Sequence, residues 1–85
     1  MKHARAAALD QLEPLLAKLR RFDGLKEKSR GVFYFKARPT LHFHEDLAGF
    51  FADFRAADQW QRLKVNTNAE RAALLRAVAD LVSTD

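Results

Sequence analysis

The chain has 85 residues, enough for one domain, and a domain of this size withdraws only about 60–65% of its unfolded surface from water. It has no cysteine, which excludes a disulfide framework, a thiolate zinc site and a cysteine nucleophile. Lysine and arginine number 15 against 11 acids, a net charge of +4 that favours anionic partners and crowds into Lys18, Arg20, Arg21, Lys26, Lys28 and Arg30.

The first predicted element is a helix. Leu9, Leu12, Leu16 and Leu19, with Leu15 and Phe22 beside them, recur at helical spacing and form one apolar stripe. Pro14 falls inside it and removes an amide donor. The helix therefore either starts near Gln11, with Pro14 in its first turn, or runs upstream through the alanines with a kink. Lys18, Arg20 and Arg21 suit its C-terminal end, and Gly24 supplies a stop. Ahead of it, Met1-Lys2-His3-Ala4-Arg5 faintly suggests a targeting segment, but Asp10, Glu13 and Pro14 interrupt that pattern. No apolar run approaches the roughly 20 residues of a membrane span. A soluble, cytoplasmic protein without membrane contact is the expectation.

Between Gly31 and Val65 the pattern changes to period two. Phe33, Phe35, Leu41, Phe43, Phe50, Ala52, Phe54, Leu63 and Val65 fall on one face, and Tyr34, Lys36, His42, His44, Phe51, Asp53, Arg55, Arg62 and Lys64 on the other. One apolar face and one open face are what a sheet covered on a single side requires. Pairing Phe43 with Phe50 leaves Glu45-Asp46-Leu47-Ala48 as a loop and sets His42 opposite Phe51. Pairing Phe54 with Leu63 gives a similar loop around Ala57-Asp58-Gln59. In the first hairpin an even loop mixes the two faces, so an odd loop such as Ala37-Arg38-Pro39, with Phe35 opposite Leu41, is expected. Lys26-Glu27-Lys28-Ser29-Arg30 reads as a solvated connector in preference to a flexible anion-binding loop.

The last element is a second helix. Thr67 and Glu70 have capping-box spacing, and Leu74, Leu75, Val78, Leu81 and Val82 form its stripe. The predicted fold is α+β over residues 1–85: helix, four-stranded antiparallel meander, helix, with both helices on one face of the sheet.

The runs Gly24-Leu25-Lys26-Glu27-Lys28-Ser29-Arg30-Gly31-Val32-Phe33-Tyr34-Phe35-Lys36, Leu41-His42-Phe43-His44-Glu45-Asp46 and Ala52-Asp53-Phe54-Arg55 resemble a group of small uncharacterised bacterial proteins. That resemblance carries no activity and no site residue. The order of elements is also similar to frataxin-like and YjbR-like domains, by topology alone. Frataxins carry an acidic first helix for iron, whereas this helix has only Asp10 and Glu13 among several cations.

The open face holds the candidate sites. His42 and His44 project side by side from one strand, and Asp46 continues their parity. Two imidazoles and a carboxylate suit zinc or ferrous iron, with Asp53 on the neighbouring strand. A second reading uses Tyr34, His42, His44, Phe51 and Trp60 as stacking surfaces for bases and Lys36, Arg55, Arg62 and Lys64 for phosphates. A third takes the aromatic and charged face as a protein-binding surface, through or near which two copies pair. Three scattered glycines make no phosphate loop, and Ser29 and Ser83 lack a nucleophile-elbow pattern. The expectation is a binding or interaction module, homodimeric and without a cofactor, ahead of a metal-dependent enzyme built on His42, His44 and Asp46.

Overall fold

A computed structural model describes residues 2–83. The elements in chain order are β1 (Lys2–His3), α1 (Ala6–Leu19), β2 (Leu25–Ser29), β3 (Val32–Phe35), β4 (Arg38–Asp46), β5 (Gly49–Ala56), β6 (Gln59–Lys64) and α2 (Asn68–Ser83). The architecture is α+β with an antiparallel sheet. The sheet has six strands, not the four expected: β2 to β6 form a meander in sequence order, and β1 pairs with β4. β4 outreaches β3, so β3 pairs with its first residues while β1 lies along its end, opposite His44 and Glu45.

The segment read as a charged connector is β2. Its lysines hid a strand whose buried residue is Leu25, paired with Phe35, and whose bulge between Glu27 and Ser29 breaks the alternation. The hairpin loops are shorter than expected throughout. Asp46 pairs with Gly49 and Ala56 with Gln59, which leaves Leu47-Ala48 and Ala57-Asp58 as two-residue turns. The register therefore shifts by two residues from the expected one: Phe43 lies opposite Ala52, and His42 opposite Asp53. A shift of two keeps every side chain on its face, which is why the apolar pattern could not distinguish the two registers.

The first hairpin resolves its parity in an unexpected place. Phe35 pairs with Arg38 across the even turn Lys36-Ala37, and the ladder then slips between Phe33 and Tyr34, so that Phe33 meets Leu41. The odd residue sits in β4, as a bulge, and not in the loop. Thr40 is buried there, and its hydroxyl donates to the Arg38 carbonyl at 2.9 Å.

Phe33, Leu41, Phe43, Ala52 and Phe54 of the sheet pack with Leu9, Leu12, Leu16 and Leu19 of α1 and Leu74 and Val78 of α2. Each fully buried leucine, valine or phenylalanine among them contributes about 1.5–3 kcal/mol. α1 begins at Ala6, the upstream of the two expected starts, with Pro14 inside the helix on its exposed side. The turn between β2 and β3 passes directly under α1. Gly31 has φ +79°, and a Cβ there would lie 2.8 Å from Leu9 Cδ2, so glycine satisfies both the backbone and the packing. α2 starts with the expected box: Glu70 N–H donates to Thr67 Oγ1 at 3.0 Å, and the Glu70 carboxylate accepts from Thr67 and Asn66 amides at 3.1 and 2.9 Å. Among the described residues no helix is long and apolar enough to cross a membrane.

Candidate metal centre

The open face is organised around the chain's three histidines. His42 and His44 alternate outward from β4, and β1 runs antiparallel beside that strand with His3 directly opposite His44. Two further bonds hold this N-terminal strap: Ala4 N–H donates to the Phe43 carbonyl at 3.0 Å, and Arg5 N–H to Glu45 Oε2 at 2.7 Å. The rings of His3 and His44 lie 4.8 Å apart between centroids, those of His42 and His44 4.9 Å, and those of His3 and His42 5.7 Å. One nitrogen from each ring falls within 4.8 Å of the other two.

Burial and electrostatics differ along the trio. His44 is only 8% exposed. Its Nδ1 lies 3.2 Å from the Lys2 carbonyl, which can only accept, so that contact places a proton on Nδ1. Its Nε2 lies 2.9 Å from Asp53 Oδ2, close enough for an ion pair but without the alignment of a hydrogen bond. This nitrogen is buried without a hydrogen-bond partner among the described residues. His42 Nδ1 is likewise buried, without a hydrogen-bond partner among the described residues. Burial holds the His42 imidazole below its ordinary pKa; Asp53 pulls it upward, and His44, His3 and Arg62 push it down.

Asp53 anchors the arrangement from β5. Arg62, opposite it on β6, donates Nε to Oδ1 at 2.7 Å and Nη2 to Oδ2 at 2.9 Å. Those bonds hold the carboxyl below its usual range against the opposing effect of burial, and His44 and His42 assist. This fixed carboxylate places a negative charge beside His44 Nε2, at the edge of the imidazole cluster. Trp60 closes the other side, its ring 5.1 Å from His42, with Arg55 5.1 Å above the indole.

The structure thus brings together His42, His44, Asp53, Trp60, Arg55 and Arg62 from the expected face. Phe51 and Lys64 pair beside His44. Tyr34 lies on β3 beside β2, Lys36 in the β3–β4 turn, and Asp46 in the β4–β5 hairpin, where its carboxylate accepts the Ala48 amide at 2.7 Å. The third member of the imidazole cluster is His3 and not Asp46. A two-residue strand has no periodicity to read, so the sequence carried no signal for His3 beyond its residue type. No known protein family, curated protein or solved structure matches this chain.

Proposed function

We propose that the protein binds a divalent transition-metal ion on its open sheet face through His3, His42 and His44. The observation that carries this reading is the convergence of three imidazoles with donor atoms within 4.8 Å of one another. Imidazole suits zinc, copper and nickel, and three protein ligands leave a coordination position for an outside donor. Burial favours neutral His42, the form a ligand must have. Loading requires one of the two contacts of His44, to the Lys2 carbonyl or to Asp53, to give way. Zinc titration followed by calorimetry is the direct test. We expect one ion per chain, affinity at least about tenfold weaker in His42→Ala, and weaker binding in Asp53→Asn, which removes the negative charge beside the cluster. Equal affinity in His42→Ala excludes this centre.

Trp60, 45% exposed on the same face, favours a second reading in which two copies pair through or near it. Light scattering after size exclusion tests this. A dimer that Phe51→Asp converts to a folded monomer supports it, and a monomer at every concentration removes it.

A further inference from the structure

We infer that the corner of the open face where β2 begins and the β3–β4 turn closes is a binding site for a nucleoside phosphate, with the base against Tyr34 and the phosphate on Lys26 and Lys28. β2 is the outer strand of the meander, and its register sets Lys26 directly opposite Tyr34. Opposed residues share a face, so the Lys26 and Tyr34 side chains leave the sheet on the same side. Within the bulge, Lys28 Nζ lies over the Tyr34 ring, 5.7 Å from its centre. Lys26, Lys28, Tyr34, Phe35 and Lys36 line a cavity of about 450 Å³, within the range of about 300–1,000 Å³ that small-molecule sites occupy.

The acid between the two lysines is directed elsewhere. Glu27 accepts from Arg20 at 2.6 and 3.2 Å and from the Gly31 amide at 2.9 Å. The carboxylate is therefore committed to Arg20 and the β2–β3 turn, and the lysines keep their charge for the cavity. Ammonium groups alone recognise any anion, and a phenol ring alone any flat apolar group. Both together, on one face and a few ångströms apart, match a planar base joined through a sugar to a phosphate. A free nucleotide and one unit of a single strand present the same chemistry. The site shares no residue with the histidine cluster and does not depend on metal.

The test is titration of the full chain, in the presence of EDTA, with adenosine monophosphate and separately with a short oligothymidylate. Backbone amide NMR signals locate binding, and fluorescence anisotropy of labelled probes measures it. We expect shifts at Lys26, Lys28 and Tyr34, about tenfold weaker binding in Tyr34→Ala, and a reduced salt dependence in the double variant Lys26→Gln, Lys28→Gln. Both lysines are exposed, so that variant reads binding without disturbing the core. Binding of the mononucleotide at these residues supports the inference with free nucleotide as source; binding of the oligonucleotide alone supports it with a strand as source. Silence of these signals toward both probes, or unchanged affinity in the double lysine variant, overturns it.

Discussion

At the residue scale the charged side chains divide into two networks with different tasks. On the helix side, Arg20 bridges Glu13 and Glu27, and Arg30 bridges Asp10 and Glu13 at 2.8 Å each. These pairs tie α1 to β2 and to the turn that follows it. Hydrogen bonds from Arg20 and Arg30 bring the Glu13 carboxyl down from 4.5 to about 2. Burial pushes Glu27 upward, but Arg20 and the Gly31 amide outweigh it and leave its pKa lowered. A carboxylate with a depressed folded-state pKa contributes stability that is present above its unfolded value and lost as pH falls through the folded one. The urea midpoint should therefore fall as pH drops from about 4.5 towards about 2, less steeply in Glu13→Gln, and a variant slope equal to wild type would contradict this assignment. On the open face, Asp53 and Arg62 pair in the same manner, but there the carboxylate also contacts His44. The first network joins elements, and the second borders the imidazole cluster.

At the element scale the sheet depends on turns that its own residues resist. Lys36 and Ala37 have φ of 53° and 65°, and Ala57 and Asp58 have 52° and 61°. Positive φ at both central residues is the primed turn whose twist suits a two-residue hairpin, and glycine or asparagine is its usual occupant. Neither position of the β5–β6 turn is glycine, so Ala57→Gly should raise stability by about 0.5–1 kcal/mol in urea unfolding. A loss of stability would contradict the left-handed geometry at that position. The same turns explain which features were legible in the sequence. Alternation assigned Phe33, Phe43, Ala52 and Phe54 to the core and His42, His44 and Asp53 to the open face, because burial acts on every second residue. It could not set register, because slips of two preserve the faces. Nor could it find β2, where Lys26, Glu27 and Lys28 follow one another and only Leu25 is buried. The bulge at Thr40 was legible as a parity conflict, but not its location, since an extra residue in a strand and one in a loop satisfy the same count.

At the scale of the whole molecule the two faces of the sheet have separate roles. The helices pack on the phenylalanine-rich side to form the core, and the other side carries the histidines, Phe51 and Trp60 among charged residues, crossed by a short N-terminal strap. That strap is the least supported part of the sheet, a two-residue strand with exposed residues, yet it carries His3 into the cluster. Metal coordination would therefore add a cross-link between chain positions 3 and 42–44, and binding to the folded state alone raises its stability. At a free metal concentration one hundred times the dissociation constant the gain is about 2.7 kcal/mol, enough to raise the melting temperature by on the order of 10 °C. His3 is the most telling position, because its side chain lies outside the core and its replacement leaves the helices and the meander intact. The decisive measurement is zinc stoichiometry and affinity, by calorimetry, for wild type and His3→Ala side by side. One ion per wild-type chain, bound at least about tenfold more weakly by the folded variant, is the result expected of a three-histidine centre. No binding by wild type, or equal binding by both proteins, would contradict it.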